Sequence, residues 1–444
     1  MDAQATPSSP TVVRSAVCPA CCCLCDDIAI TVRQGRVDRV ENACPRGRDW
    51  FLAPPEAPTA SASVDGVPVA LDRAVDAAAA LLQAADYPLV YIMPDMATEA
   101  QRVAIAVADW LGAVVDTATS GGHAPSILGV QHAGKVTCTL GETRNRANLI
   151  VFWGTNVVAR YPRFFTRYSA DAVGKFVPRG RADRTCIAID IAENETTRAV
   201  DRTYLIPPDA DFEVLHTLRS LIRGVPLDAP AVARQTGVPL AAWSELADAM
   251  TQARFGSIVF GTGLMHARGR HANCEALFRL VADLNEHTRF VCRSIRAAGN
   301  VTGGDRVMTW QTGYPFAVNF ARGFPRYGPG EFTVEDVLAR GEADAALLVG
   351  GVASERLSDA AMNHLRRIPL VQIASRSDPV LCGETAENDI SRVAVRTCTH
   401  GLHSAGTMYR MDDVPIRTRV VLRSTLPSET DVLQLLEQRL RETM

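Results

Sequence analysis

The sequence predicts an α/β protein, with parallel sheets covered by helices and a small β module ahead of them. From residue 71 onward, short apolar runs of strand length alternate with amphipathic runs of helix length. Six of the twelve cysteines crowd between Cys18 and Cys44, beside a hairpin signal. At 444 residues the chain also exceeds what one hydrophobic core fills, so two or three domains are expected.

The elements follow in order. The Ser/Pro/Ala-rich start, residues 1–10, is expected to be loose. Residues 28–40 alternate around Gln34-Gly35, which predicts a short hairpin. Pro54, Pro55 and Pro58 mark a boundary. A helix over 71–85, a strand over 89–93, a helix over 98–111 and a strand over 113–116 come next. The same rhythm predicts strands over 149–153, 186–191, 257–260, 290–292, 345–349 and 370–373. Several of these run into glycine or a polar turn, as where strand ends meet a ligand crevice. The Gly/aromatic stretch 299–330 reads as a long ordered loop of the kind that lines sites or interfaces. The expected organisation is a cysteine-rich module over 1–60, one α/β domain from 61–135 plus 300–444, and a second over 136–299.

Composition excludes more than it assigns. Apolar residues at 47% and charged residues at 21% are ordinary for a globular chain, and a net charge of −3 offers no footprint for nucleic acid or an anionic membrane. Without an apolar run of about 18 residues or a secretory-type start, a cytoplasmic protein is expected. Cysteines in that reducing compartment are metal ligands or small buried side chains rather than a disulfide framework.

Cys18-x2-Cys21-x3-Cys25, with Cys44 after eighteen further residues, is the sharpest motif. Three thiols on one tight loop and a fourth returned by a hairpin can surround a [4Fe–4S] cluster. A tetrahedral zinc site and an empty, vestigial loop also fit; the x3 gap and the single distant fourth cysteine favour the cluster. Cys22 and Cys23 are surplus.

Ending in Cys44-Pro45-Arg46-Gly47, this pattern resembles the first domain of the molybdopterin-dependent oxidoreductases. Trp153-Gly154-Thr155-Asn156 resembles a pterin-side turn. Asp190, with Thr196, Asp201 and Pro207-Pro208-Asp209-Ala210-Asp211, resembles the nucleotide-side strand and the segment before a helix. The resemblance implies a Rossmann-type, molybdopterin-oxidoreductase-like fold. It makes Cys18, Cys21, Cys25 and Cys44 ligands of a [4Fe–4S] cluster, and assigns Arg46, Asn156 and Asp190 to the pterin side.

Within that superfamily the chain most resembles the B subunit of formylmethanofuran dehydrogenase, through the cysteine motif and residues 123–131, 138–156, 309–332 and 403–416. Redox-active members ligate molybdenum or tungsten through a cysteine or selenocysteine just before a histidine. Here Gly122 precedes His123, Ala124 follows it, and no cysteine lies between Cys44 and Cys138. Glycine offers no soft sulfur ligand; only an oxygen donor such as Ser120 would remain. That departure resembles the bacterial formyltransferase/hydrolase branch. It implies a non-catalytic structural subunit without molybdenum- or tungsten-pterin, alongside an amidohydrolase-like A, a glutamate-synthase-like C and a formyltransferase D subunit. An active dehydrogenase subunit is the alternative.

The remaining candidates read as structural. His123 is expected to be a hydrogen-bonded structural histidine, Arg46 a surface or salt-bridging arginine, and Asn156 and Asp190 turn and strand-end residues. His400 and His403 lack a third metal ligand nearby. Gly261-x-Gly263 has His266 where a dinucleotide fingerprint needs its third glycine. Cys138, Cys186, Cys274, Cys292, Cys382 and Cys398 are expected to be small buried side chains.

Overall fold

A computed structural model describes residues 10–53, 60–351, 356–376 and 390–443; Pro54, Pro55, Pro58 and Cys382 lie outside the described residues. Contacts divide the chain into a first unit, Met1–Gly121 with Ala297–Met444, and a second, Gly122–Arg296.

The first unit opens with a three-stranded antiparallel sheet, β1 (Thr11–Ala16), β2 (Ile28–Arg33) and β3 (Arg36–Glu41). Arg33 pairs with Arg36 across Gln34-Gly35, whose φ values of 50° and 72° make the two-residue turn that matches strand twist. Cys44 then caps helix α1 (Pro45–Leu52), with Pro45 in the first turn, where its missing N–H is not needed. Strands β4 (Ala62–Val64) and β5 (Val67–Pro68), helix α2 (Leu71–Gln83), strand β6 (Pro88–Ile92), helix α3 (Thr98–Trp110) and strand β7 (Val114–Thr117) follow, ending in the single turn α4 (Thr119–Gly122).

The second unit begins with helix α5 (Ala124–Ala133). Helix α6 (Leu140–Arg146), strand β8 (Leu149–Trp153), helix α7 (Val157–Arg160), strand β9 (Thr185–Asp190), helix α8 (Glu195–Ala199) and strand β10 (Arg202–Leu205) come next. Helices α9 (Asp211–Ile222), α10 (Ala229–Thr236) and α11 (Leu240–Gln252), strand β11 (Gly256–Phe260), helices α12 (Thr262–His266) and α13 (His271–Leu284), and strand β12 (Phe290–Ser294) complete it. Its five strands are parallel in the order β10-β9-β8-β11-β12. The winding reverses between β8 and β11, where such sheets open a crevice at the strand carboxyl ends. The sequence suggested a domain crossing near residue 135. Instead α5 packs on α13, because Gly129 lets the two approach: a Cβ there would sit 2.9 Å from that of Cys274.

Back in the first unit, helix α14 (Val301–Thr312), strands β13 (Val318–Asn319) and β14 (Arg326–Tyr327), helix α15 (Val334–Ala339) and strand β15 (Ala345–Val349) lead to helix α16 (Asp359–Leu365), strands β16 (Leu370–Ala374) and β17 (Arg392–Arg396), hairpin strands β18 (Thr407–Tyr409) and β19 (Pro415–Arg417), and helix α17 (Glu429–Thr443). The nine-stranded sheet runs β14-β13-β7-β6-β15-β16-β17-β4-β5, with β7, β6, β15, β16 and β17 parallel and antiparallel strands at both edges. Its centre is apolar on both faces, as burial under helices requires. The expected loop over 299–330 is partly wrong: α14 occupies its first third. Gly303 and Gly304 lower helix propensity and hid it, yet they fit because the first five residues of α14 are all buried.

Candidate functional site

The cysteine loop is a closed structure. Cys18 N–H donates to the Cys25 carbonyl at 2.9 Å and Leu24 N–H to that of Cys21 at 3.3 Å. Cys18, Cys21 and Cys25 are buried, and Cys44 is half-buried at the start of α1. Burial pushes the Cys18 thiol well up, and nearby Cys21, Cys25 and Cys44 push it further as like charges. These four could ionise together only around a cation. Gly47 completes the cradle: a Cβ there would lie 2.9 Å from Cys18 Sγ and 3.7 Å from Cys44 Sγ. Among the described residues no group of three or more His, Cys, Asp or Glu closes on a single-ion position. Four thiols, three of them buried on one loop, are a donor set that could hold a [4Fe–4S] cluster. Arg46 is exposed on the first turn of α1.

The turn that carries Gly122 is firmly held on its amino side. Asp116, fully buried at the end of β7, accepts the N–H groups of Thr117 at 2.8 Å, Ala317 at 3.1 Å and Val334 at 2.8 Å. Desolvation pushes its carboxyl up to about 6 despite these bonds. Ser120 Oγ donates to the Thr117 carbonyl at 3.1 Å, so this hydroxyl serves the turn. Thr119 Oγ1 bonds Asp305 of α14. His123 is buried at the start of α5, and its carbonyl accepts from Ser126 Oγ at 3.0 Å. A Cβ added at Gly122 would meet nothing within 4 Å. The position is open, and glycine supplies no donor to it.

In the second unit a crevice of about 290 Å³ lies at the winding reversal, lined by Gly154, Asp190, Asp209, Asp211, Gly263 and His266 among others. Gly154 turns with φ 54°, and a Cβ on it would lie 2.8 Å from the Leu264 nitrogen, so the turns after β8 and β11 pack backbone to backbone. Gly263 N–H donates to the Gly154 carbonyl at 3.1 Å, which is what the Gly261-x-Gly263 pair serves. Asp190 accepts from Ile191 N–H at 2.8 Å and Asn194 Nδ2 at 3.0 Å. Asp211 accepts from Trp153 Nε1 at 2.7 Å, and burial raises its carboxyl above the usual range. A rim of carboxylates suits a ligand rich in N–H and O–H donors, such as the nucleoside end of a nucleotide, and repels its phosphates. Asn156 caps α7: its Oδ1 receives Ala159 N–H at 3.4 Å and Thr196 Oγ1 at 3.2 Å, and its Nδ2 donates to Glu195 at 2.5 Å.

Along 98% of its length the chain is 36% identical, over 443 residues, to the B subunit of the tungsten-containing formylmethanofuran dehydrogenase 2 of Methanocaldococcus jannaschii, covering 99% of that relative. The chain belongs to the family of formylmethanofuran dehydrogenase B subunits. The corresponding subunit of Methanococcus maripaludis is 36% identical over 440 residues, with 97% of this chain and 99% of that one covered. The B subunit of the formyltransferase/hydrolase complex Fhc of Methylorubrum extorquens is 28% identical over 333 residues, 74% of this chain and 83% of that one. No family model matches the chain. In fold it resembles a chain of the formyltransferase/hydrolase complex FhcABCD from Methylorubrum extorquens in complex with methylofuran (TM-score 0.68, 23% identity, 86% of this chain and 99% of that chain). It also resembles acetylene hydratase from Pelobacter acetylenicus (TM-score 0.66, 10% identity), covering 96% of itself and 69% of that chain. The molybdopterin-type α/β fold is thereby established.

Sequence reasoning missed two groups in this family member. Asp116 and Asp305 hold the Gly122 turn, yet an aspartate at a strand end or in a helix carries no signal of its partners. Asn300 is buried and donates from Nδ2 to the Met96 carbonyl, Thr98 and Gln101 at 3.0–3.2 Å, while Oδ1 receives Tyr409 N–H at 2.7 Å. That joins α3, α14 and β18. His400 is buried beside Thr418, 3.2 Å from its Oγ1, and burial pushes its imidazole down to about 4. His403 Nδ1 accepts Thr399 N–H at 3.2 Å. Both histidines serve the local chain. Among the described residues no helix is long and apolar enough to cross a membrane.

Proposed function

We propose that this chain is a non-catalytic structural and assembly subunit of a formyltransferase/hydrolase-type complex. Such a complex would release formate from formyl-tetrahydromethanopterin through a methanofuran-type carrier, with chains of the A, C and D kinds as partners. Gly122 carries this reading: the residue before the buried His123 has no side chain to ligate molybdenum or tungsten, and Ser120 Oγ is committed to the Thr117 carbonyl. Transfer and hydrolysis of a formyl group move no electrons, so a subunit serving them can lose the metal anchor and keep the fold. The likeness to the B subunit of Fhc supports it.

In the same reading Cys18, Cys21, Cys25 and Cys44 hold a [4Fe–4S] cluster that braces the small β module. When bound, such a cluster can store one electron. Arg46, Asn156 and the crevice at Asp190 are inherited from the pterin side, without pterin.

One observation favours a second reading, an active dehydrogenase subunit: identity to two tungsten-containing relatives is higher and runs nearly end to end. Elemental analysis of the purified intact complex separates the two. The structural reading expects iron and sulfide near four per chain, tungsten and molybdenum below a tenth of stoichiometric, and no viologen-linked formate oxidation. Stoichiometric tungsten or molybdenum with that activity would overturn it.

A further inference from the structure

We propose that Phe176, with Arg146 and Lys175 beside it, is the docking point for a carboxylate-bearing segment of another protein subunit. This rests on the reading of the chain as one subunit of a multi-chain complex. The loop 173–177 leaves Val173 59% and Phe176 47% exposed. Two cations stand over the Phe176 ring, the Arg146 guanidinium 5.0 Å and the Lys175 ammonium 5.6 Å from its centroid. Among the described residues neither cation forms an ion pair. The neighbouring arginines are occupied: Arg144 by the Val173 carbonyl, Arg179 by Asp183 and Arg181 by Asp201. Asp171, ahead of the loop, lies by Arg181 and Arg184 instead.

The loop is pinned to the end of α6. Phe176 N–H donates to the Asn145 carbonyl at 2.9 Å, Lys175 N–H to Asn145 Oδ1 at 3.0 Å and Arg144 Nε to the Val173 carbonyl at 3.1 Å. Gly174 and Val177 exchange backbone hydrogen bonds at 3.2 Å each, and a Cβ on Gly174 would strike the Arg144 carbonyl. An exposed aromatic already fixed in place loses little freedom when a partner covers it. Helix α6 runs into β8 and the loop precedes β9, so the patch sits at the amino ends of these strands, away from the crevice at their carboxyl ends. Charge decides the occupant. In a chain of net charge −3, two uncompensated cations around an apolar ring match carboxylates flanking an apolar side chain. Two cations are too few for an anionic membrane, which calls for clusters of about four to eight.

The chain has two lysines, Lys135 and Lys175, so amine chemistry reads this patch directly. In the purified intact complex Lys175 should react with acetic anhydride about tenfold more slowly than in the full chain alone, because a docked partner excludes water there. A zero-length carbodiimide should join its Nζ, with net loss of water, in an amide to an Asp or Glu of another subunit. Lys175→Glu combined with Phe176→Ala should cut the yield of assembled complex by about tenfold. The melting temperature of that variant chain should stay unchanged, since both side chains are exposed. Equal acetylation in chain and complex overturns the proposal. So does a Lys175 link to this chain or to a second copy of it, and so does sedimentation with phosphatidylserine vesicles that the double variant loses. A wild-type chain that purifies without other subunits overturns the subunit reading itself, and this docking point with it.

Discussion

Three glycines decide how the site residues are presented, and each has its own cause. Gly47 keeps space beside Cys18 Sγ, which a Cβ would approach to 2.9 Å. Gly47→Ala should therefore lower the iron bound on cluster reconstitution by more than half, while the melting temperature of the rest of the chain moves little; iron per chain and a thermal melt check this. Gly122 is the opposite case. Its Cβ would meet nothing, so Gly122→Ala should change stability by no more than about 0.5 kcal/mol in urea unfolding. Gly154 combines φ 54° with a Cβ contact of 2.8 Å to backbone, and Gly154→Ala should cost on the order of 2 kcal/mol or more. The Gly122 substitution was legible in the sequence against the family pattern. The emptiness around it was not, because space is a property of neighbours distant in the chain.

Elements are joined by polar side chains that no periodicity announces. Arg184, buried just ahead of β9, donates to the carbonyls of Arg144 and Ala172 at 2.6 Å each, and also to those of Thr143 and Ala147. It closes the carboxyl end of α6, where the last carbonyls of a helix lack partners. Arg184→Ala would leave several buried carbonyls unsatisfied and should cost about 3 kcal/mol, read as a lower urea midpoint with little change in slope. At the amino end of the same helix, Thr139 and Glu142 form a reciprocal cap. That S/T-x-x-E signature is local and readable. The arginine's role is not, since its acceptors come from two separate segments.

At the scale of the molecule, buried titratable groups set opposing pH limits. His400 is held down to about 4 against an ordinary 6.5. As pH falls through that window the unfolded chain takes a proton that the folded chain refuses, so stability is lost toward pH 4. Asp116 and Glu429 are pushed up to about 6 and about 7 from 3.8 and 4.5. Burial favours their neutral forms, so their contribution is best at low pH and declines as pH rises through those windows. Glu429→Gln can still accept the Thr397 hydroxyl, which bonds Glu429 at 2.8 Å. It should be more stable than wild type at pH 8, with the advantage shrinking below pH 5; parallel melts at both values test this.

The sequence by itself determined the class of fold, the strands at 149–153 and 345–349, the hairpin around Gln34-Gly35, the four-cysteine motif and the family. These are recorded in apolar runs buried on both faces, in turn residues and in fixed spacings, all local along the chain. Only the tertiary structure decided that α14 occupies a glycine-rich stretch, that α5 belongs with α13, and that Ser120 is committed to its own turn. It alone set Arg146 over Phe176. The reason is that close packing and hydrogen-bond partners are settled in three dimensions, often between segments far apart in the chain, where one sequence carries no period to read.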